Sequence, residues 1–220
     1  MIKTIELQDA LPRVFDGLQQ EQRLRESQVW LRPSVLFEKT QSYLVFAESG
    51  TGKSSLCAFI YGLRRDYLGK ILIDGVDIRN FTIKQWCDIR CRAIAYLPQE
   101  MRLFPELTAM ENIRIKNSLT DYRSESEIME MLDRLEIKEQ ADRRAGLLSL
   151  GQQQRVAIVR ALCQPYDFLL LDEPVSHLDQ RNNGIVARMI VDDARSRDAS
   201  IIATSVGNHL ALQPDFILHL

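Results

Sequence analysis

The segment 47–55, A-E-S-G-T-G-K-S-S, limits most strongly what this chain can fold into. Gly50 and Gly52 let the backbone bend toward an anion without a Cβ in the way, so that successive N–H groups can point at a phosphate. Lys53 adds a positive charge, and the Ser54 hydroxyl is placed to bind Mg²⁺. The apolar runs on either side predict a buried strand before the segment and a helix after it. The segment therefore predicts a phosphate-binding loop at the positive, amino-terminal end of a helix.

One position of this loop departs from the usual pattern G-x-x-x-x-G-K-[ST], because Ala47 stands where the first glycine is expected. The loop alone therefore does not identify the chain. The later segments have to agree with it.

The composition predicts one soluble globular unit spanning residues 1–220, with 45% hydrophobic and 26% charged residues. A formal net charge of −2 provides no basic field, so we expect no nucleic-acid partner. Apolar runs such as F-L-L-L at 168–171 are far shorter than the roughly 20 residues that cross a bilayer. The amino terminus has acidic residues where a signal peptide would be apolar. We expect a cytoplasmic protein.

The four cysteines, Cys57, Cys87, Cys91 and Cys163, have no C-x-x-C spacing. This pattern is typical of free, reduced cysteines in the cytosol. Cys87 and Cys91 lie one helical turn apart and could hold a metal in principle, but there is no second pair to complete such a site.

Ahead of the loop, the segments T-I-E-L, S-Q-V-W-L and S-V-L-F-E predict strands, and P-R-V-F-D-G predicts a turn. We expect these strands to form an antiparallel edge sheet that precedes the nucleotide core. Phe15 and Trp30 are near enough in sequence to offer a flat face for adenine. We expect Trp30 in the core, whereas Phe15 could either stack on adenine or pack in the core.

After the loop, G-K-I-L-I-D-G predicts a strand, T-I-K-Q-W-C-D-I-R a helix, and A-I-A-Y-L-P-Q a buried strand that Pro98 closes. Gln99 then lies at the carboxyl end of a parallel strand, where open α/β sheets place ligand contacts. We expect Gln99 near the metal and its water.

From Met101 to about Leu147 helical signals replace the strand pattern. Ser124 and Glu127 form a capping box ahead of an apolar stripe at helical spacing, which is more often core than a docking groove. We predict a small helical subdomain, about residues 100–165, inserted into the sheet topology.

Two further segments contain candidate binding and catalytic residues. In L-S-L-G-Q-Q-Q-R, Ser149 and Gly151 lie at the start of a long helix, a second potential anion site. D-F-L-L-L-D-E predicts a buried strand that ends in Asp172 and Glu173. Because neighbouring strand residues point to opposite sides, one acid can face a metal and the other an attacking water.

Together and in this order, these motifs resemble the ATP-binding cassette of ABC transporters over nearly the whole chain. The loop at 47–55 corresponds to Walker A, Gln99 to the Q-loop, L-S-L-G-Q-Q-Q-R to the signature, F-L-L-L-D-E-P to Walker B and S-H-L-D at 176–179 to the D-loop. The likeness is greatest to the small cassettes of lipoprotein-release and macrolide-export systems. It implies an α/β fold: a P-loop NTPase core with an antiparallel β edge subdomain and an inserted helical subdomain.

The resemblance also implies a mechanism, in which two cassettes close head to tail around two ATP molecules, each with Mg²⁺. Glu173 would be the general base, assisted by Lys53, Gln99 and Ser205. Mg²⁺ would be held by Ser54, Gln99 and Asp172. The implied nucleotide contacts are Phe15, Ser49, Gly50, Thr51, Gly52, Lys53, Ser54, Ser55, and, from the signature, Ser149, Gly151 and Gln152.

Two departures from the family pattern concern catalysis. Leu150 replaces the first signature glycine, with little expected loss because Ser149 and Gly151 are retained. Ser205 stands where the family has a histidine that contacts the γ-phosphate, and His209 could substitute only if its loop folded back. We expect slow hydrolysis that Ser205→His partly restores. The alternative is a degenerate cassette that closes on ATP as a switch and scarcely hydrolyses it.

The resemblance further implies that the cassette energises a separate integral membrane permease and is bound through it to the inner face of the cell membrane. Residues 101–105 are where the permease should dock. Phe104 and Leu103 are expected to be its exposed apolar contacts.

Overall fold

The computed structural model describes residues 1–48, 50–207 and 209–220. The strands are β1 (Thr4–Pro12), β2 (Val35–Glu38), β3 (Ser42–Phe46), β4 (Tyr67–Ile73), β5 (Val76–Asp77), β6 (Ile94–Leu97), β7 (Phe168–Asp172), β8 (Ser200–Ser205) and β9 (Phe216–His219). The helices are α1 (Gln22–Glu26), α2 (Lys53–Ile60), α3 (Ile83–Arg92), α4 (Ala109–Asn117), α5 (Glu125–Arg134), α6 (Leu150–Leu162) and α7 (Gln180–Arg195). None of the helices over these ranges has both the length and the apolar character needed to cross a membrane.

Five parallel strands in the order β6-β7-β8-β3-β9 form the central sheet. Strands β6, β7, β8 and β3 are largely buried because both of their faces are covered, whereas β9 at the edge is mostly exposed. In β7, Leu169 and Leu171 pack into one hydrophobic core with α4 to α7, and Phe168 and Leu170 pack into a second core with α2 and the other sheet. This alternation is the one expected of a buried strand.

The register of the central sheet brings the carboxyl ends of four strands to one edge. Leu97 pairs with Leu171, Asp172 with Thr204, and Phe46 with Ser205. The residues that follow these pairs, including Gln99 and the loop at 47–52, therefore leave the sheet on the same side. This edge is where ligands bind in open parallel sheets.

The predicted antiparallel sheet is present, with strand order β2-β1-β4-β5. Only β1 and β2 precede the loop, so the expectation that the whole sheet precedes the nucleotide core is wrong. The predicted strand S-Q-V-W-L is also wrong, since residues 27–31 form turns. The Ser27 hydroxyl accepts the N–H groups of Val29 (3.1 Å) and Trp30 (2.8 Å), which replaces the hydrogen bonds of a strand.

Helices α4, α5 and α6 lie between β6 and β7 in the chain. The capping box of Ser124 and Glu127 at the start of α5 is confirmed, and a second one joins Thr108 to Glu111 at α4. The apolar stripe of α5 is buried, as expected of a core face. The predicted limits of the helical subdomain, about 100–165, stay a prediction.

Candidate functional site

The loop at 47–52 depends on its glycines. Gly50 has φ +85° with open space where a Cβ would be, and Gly52 has φ +96°. A Cβ on Gly52 would lie 3.3 Å from the side chains of Phe15 and Pro12. Ala47 is not in the left-handed region, and its N–H donates to the Ser205 carbonyl at 3.1 Å. An alanine is therefore accommodated at this departure from the pattern.

The other predicted loop residues have partners within the protein. The Thr51 hydroxyl donates to the Glu48 carbonyl at 2.9 Å, and the Ser55 hydroxyl accepts from Arg64 at 2.9 Å. The Thr51 N–H also donates to the Glu48 carbonyl, at 3.4 Å, so both donors of Thr51 have a partner within the loop. Ser49 lies outside the described residues.

Lys53 and Glu173 form an ion pair, with 2.8 Å between Nζ and Oε1 and only 12% and 13% of the side chains exposed. Glu173 directly follows β7 and has φ +49°, which turns the chain out of the strand. Its N–H donates to the Thr204 carbonyl at 3.3 Å, and its carbonyl accepts from Gln154 Nε2 at 3.2 Å. A left-handed non-glycine residue persists only when its surroundings hold it in this way. The pair joins a cation that can hold phosphate to a carboxylate that can take a proton.

Asp172 is 2% exposed and shares this edge. Its Oδ1 accepts from Thr204 Oγ1 at 2.7 Å, and the Ser54 hydroxyl also donates to the carboxylate. Burial raises the pKa of Asp172, while the hydrogen bonds from Thr204 and Ser54 lower it. A carboxylate beside a hydroxyl oxygen is the donor chemistry that Mg²⁺ prefers, so these residues fit the metal. Gln99, half-buried, follows the neighbouring strand at the same edge.

Ser205 ends β8 at this edge and is buried. His209 is exposed, and its imidazole packs edge-on against Phe46 with 5.5 Å between ring centroids. Its carbonyl accepts from Asn183 Nδ2 at 2.8 Å. These contacts hold His209 against Phe46.

The signature residues are arranged around the first turn of α6. The Ser149 hydroxyl accepts the Gln152 N–H at 3.3 Å, and Gln152 Oε1 accepts the Ser149 N–H at 2.9 Å. A Cβ on Gly151 would lie 3.0 Å from the His177 carbonyl, so the segment S-H-L-D packs directly on this turn. Leu150 is exposed.

The predicted site residues thus fall into two groups. Lys53, Ser54, Asp172 and Glu173 contact one another. Over the described ranges, no hydrogen bond or ion pair joins these four to Ser149, Gly151 or Gln152.

The two aromatic candidates are both core residues. Trp30 is buried as expected, and its Nε1 donates to the Thr51 carbonyl at 2.9 Å, which supports the loop. Phe15 is 6% exposed, and the Arg23 guanidinium lies 5.4 Å from its ring centroid. Phe15 therefore presents no open face for adenine in this structure. Arg23 instead borders a cavity of about 450 Å³ beside the loop, lined also by Phe46, Ala47, Glu48 and Thr51.

The segment after Gln99 differs in part from expectation. Phe104 is 51% exposed, as predicted, but Leu103 is half-buried and packs against the hydrophobic core. The prediction of an exposed Leu103 is wrong, because the segment is held against α4 and α6. A cavity of about 300 Å³ beside it is lined by apolar and cationic side chains, among them Leu63, Ile115, Leu119, Lys116 and Arg102.

The sequence reading missed Thr204 and Gln154. Thr204 is a buried polar residue next to the end of β8, at the register of Asp172. Gln154 is buried one turn before Ile158, and it binds the Glu173 carbonyl and the His177 N–H. Both are polar residues at positions where the helix or strand pattern predicts a buried apolar side chain. This mismatch was the sequence signal that could have identified them.

Comparison with known proteins agrees with this geometry. The family model described as ABC transporter matches residues 32–176. The ABC transporter ATP-binding protein YclH of Bacillus subtilis is 30% identical over 191 residues, covering 85% of this chain and 83% of YclH. The lipoprotein-releasing system ATP-binding protein LolD 1 of Chlorobium chlorochromatii is 29% identical over 214 residues, covering 96% and 87%.

Solved structures of cassettes have the same fold. The dimeric ATP-binding cassette MJ0796, bound to ADP and Pi, superposes with a TM-score of 0.72 at 21% identity, over 91% of this chain and 87% of that one. A bacterial Atm1-family ABC exporter with ATP bound gives a TM-score of 0.76 at 25% identity, over 100% of this chain and 37% of the exporter. Since the family model covers most of the chain and the architecture agrees, this protein belongs to the ATP-binding cassettes of ABC transporters, a family that binds and hydrolyses ATP.

Proposed function

We propose that this chain is the ATP-hydrolysing subunit of an ABC transporter and that it works as a head-to-tail dimer. The observation that carries the proposal is the Lys53–Glu173 ion pair beside the Ser54–Asp172 hydrogen bond. Together these two contacts place a cation suited to phosphate, a carboxylate suited to act as a base, and oxygen ligands suited to a metal at one edge of the sheet.

Each residue has a distinct role in this proposal. The loop N–H groups and Lys53 bind the β- and γ-phosphates of ATP. Ser54, Asp172 and Gln99 would hold Mg²⁺, which when bound would neutralise charge on the phosphate oxygens. As Lys53 turns to the phosphate, the Glu173 carboxylate is released to accept a proton from the attacking water. A base in this position typically contributes 10²–10⁴-fold to the rate.

The separation of the two residue groups supports the dimer. Ser149 and Gly151 lie at the amino-terminal end of a 13-residue helix, where backbone N–H groups and the helix dipole favour an anion. We infer that they complete the site of a second chain by contacting the γ-phosphate that Lys53 of that chain holds. Gln152 takes part through the same first turn.

We infer that the nucleoside lies beside the loop in the cavity that Arg23 borders. Phe15 supports Arg23 from beneath, and the guanidinium offers a planar cationic face on which a base can stack. Phe15 thus contributes to adenine binding through Arg23.

ATP turnover per chain, measured against protein concentration, tests the proposed function. We expect the rate per chain of the wild type to rise with concentration, because each site needs two chains. Glu173→Gln should lower the rate by about 10²–10⁴-fold, while ATP binding followed by a fluorescent analogue is retained.

Glu139→Gln is the control, since it removes an exposed carboxylate between α5 and α6, outside the loop and outside the cavity that Arg23 borders. It should turn over at the wild-type rate. Equal turnover in Glu173→Gln and wild type would contradict the base assignment. If the wild type itself binds ATP without turnover, the alternative of a nucleotide switch replaces hydrolysis.

We further propose an integral membrane permease as partner, which would hold the cassette at the cytoplasmic face of the membrane. Phe104 is the exposed apolar contact, two residues after Arg102, which lines a cavity together with Ile115 and Leu119. Phe104→Asp should abolish co-purification of an integral membrane protein with the tagged chain from its native host. Full retention of that protein would contradict docking at Phe104, and Val14→Asp is the control at another exposed apolar residue.

A further inference from the structure

The backbone that follows Gln99 has an unusual conformation. Met101 and Arg102 are consecutive residues with φ +57° and +51°, in the left-handed region that non-glycine residues seldom adopt. Two such residues in succession persist only when neighbouring groups hold them. The groups that hold them therefore help to decide where Gln99 lies.

Arg160 supplies those contacts. Its Nη1 donates to the Arg102 carbonyl at 2.8 Å, and its Nη2 donates to the Met101 carbonyl. Over the described part of the chain Arg160 has no ion pair, and burial lowers the pKa of its guanidinium. A guanidinium that is half-buried without a carboxylate needs these two carbonyls to satisfy its donors.

A second set of hydrogen bonds holds the backbone at Phe104, two residues after Arg102. The side chain of Asn112, on α4, is fully buried. Its Oδ1 accepts the Phe104 N–H at 2.8 Å, and its Nδ2 donates to the Phe104 carbonyl at 3.0 Å. The backbone at 101–104 is thus attached to α4 and α6, whereas Gln99 follows β6 of the central sheet by only two residues.

Helix α6 also carries the signature residues. Arg160 lies about three turns after Ser149, a distance of roughly 16 Å along the axis. A helix of this length moves as one rod when its hydrogen bonds stay intact. Any displacement of the first turn is therefore passed to the carbonyls that Arg160 holds.

We propose that Arg160 is a positioning residue that sets the place of Gln99 according to the position of the signature helix. Closure of a second chain on Ser149 would then adjust Gln99 in the site of the first. The proposal rests on the proposed function where Gln99 acts on metal and water, but the attachment of the segment to α6 can be tested without turnover.

Limited digestion with trypsin tests the attachment, because the bond after Arg102 is cleaved only when the segment opens. Arg160→Met should increase the initial rate of this cleavage several-fold, with fragments 1–102 and 103–220 identified by mass. Arg197→Met is the matched control: Arg197 also donates to backbone carbonyls, those of Gln164 and Asp193, but far from the segment in sequence.

Unchanged cleavage in Arg160→Met, or an equal increase in Arg197→Met, would overturn the attachment. If Arg160→Met does not fold, Arg160→Lys, with fewer donors, takes its place and should show a smaller increase.

A double-mutant cycle on turnover tests the functional link. Gln99→Ala and Arg160→Met should each lower kcat with little change in the KM for ATP. If Arg160 acts through Gln99, the double variant should lose no more than Gln99→Ala alone. Losses that multiply would overturn the positioning role even if the segment opens as expected. A wild type without turnover would refute the proposed hydrolysis and leave the digestion result standing.

Discussion

At the residue scale, Asp172 depends on a neighbour that the sequence motifs do not mark. Thr204 is fully buried, and its hydroxyl donates to the Asp172 carboxylate from the paired strand. A buried carboxylate that loses a hydrogen-bond donor bears a desolvation cost of about 1–3 kcal/mol. The Thr204 hydrogen bond therefore lowers the pKa of Asp172 against the effect of burial and fixes the orientation of its carboxylate.

Thr204→Val tests this contribution, because valine keeps the shape and removes the donor. The free energy of unfolding, measured by urea denaturation at neutral pH, should fall by about 1–3 kcal/mol. Thr204→Ser keeps the hydroxyl and should recover most of the loss. Equal stabilities of the valine and serine variants would contradict the role of the hydroxyl.

The effect of having Ala47 where the loop pattern has glycine also depends on a single residue. Its backbone lies outside the left-handed region, so glycine offers no relief of strain there. Ala47→Gly should lower the free energy of unfolding by about 0.4–1 kcal/mol, because glycine gains more freedom in the unfolded chain. The affinity for ATP, measured by calorimetry, should stay the same. A clear gain in affinity would mean that the Cβ of Ala47 obstructs the phosphates.

At the scale of elements, patterns that are satisfied locally were predictable. The capping box of Ser124 and Glu127 is contained in four residues, so the start of α5 could be read from the sequence. S-Q-V-W-L has the composition of a strand, yet the Ser27 hydroxyl binds two backbone N–H groups and makes turns of it. That choice depends on the surrounding packing, which a short sequence window does not contain.

Contacts between residues far apart in the chain could not be predicted from the sequence either. β1 runs on to Pro12 because a bulge at Asp9, with φ +48°, is accommodated by Gly69 on β4. A Cβ on Gly69 would lie 2.3 Å from the Asp9 carbonyl oxygen. Similarly, the burial of Phe15 and the contacts of Gln154 follow from elements distant in the chain. The motif residues were predictable, but the residues that orient them were not.

The capping box of α5 leads to a prediction about pH. Hydrogen bonds from the Ser124 backbone and hydroxyl, and then from Arg123, lower the pKa of Glu127 from 4.5 to about 2. Because the folded pKa is the lower one, the stabilisation is fully present above pH 4.5 and is lost as the pH falls toward 2. Glu127→Gln should therefore be less stable than the wild type at pH 6, and the difference should shrink as the pH is lowered. Urea denaturation of both proteins between pH 6 and pH 3 measures this; a constant difference would exclude the charge of Glu127 as the cause.

At the scale of the whole molecule, the proposed dimer rests on the separation of two sets of residues. Over the described residues, no hydrogen bond or ion pair joins Lys53, Ser54, Asp172 and Glu173 to the signature residues Ser149, Gly151 and Gln152. In the proposed function, Lys53 and Glu173 bind the phosphates and activate water, while Ser149 and Gly151 offer the helix N–H groups of α6 to the γ-phosphate that the other chain holds. A second copy can supply to each chain what it lacks. ATP between two such surfaces would act as the bridge, because its γ-phosphate is the anion that the helix end favours.

Substitution of Ser149 tests this bridge without disturbing the fold. Aspartate and asparagine both replace serine well as amino-terminal helix caps, so α6 should stay intact in either variant. Ser149→Asp places a negative charge where the γ-phosphate of the other chain is expected. Two unit charges about 4 Å apart repel by about 1–4 kcal/mol, depending on how much water screens them.

In a Glu173→Gln background, ATP should dimerise the chain and the Ser149→Asn variant, but not Ser149→Asp. Sedimentation velocity with and without ATP measures the change in mass, and ATP-driven dimers of Ser149→Asp as stable as those of Ser149→Asn would show that the signature helix does not meet the phosphate.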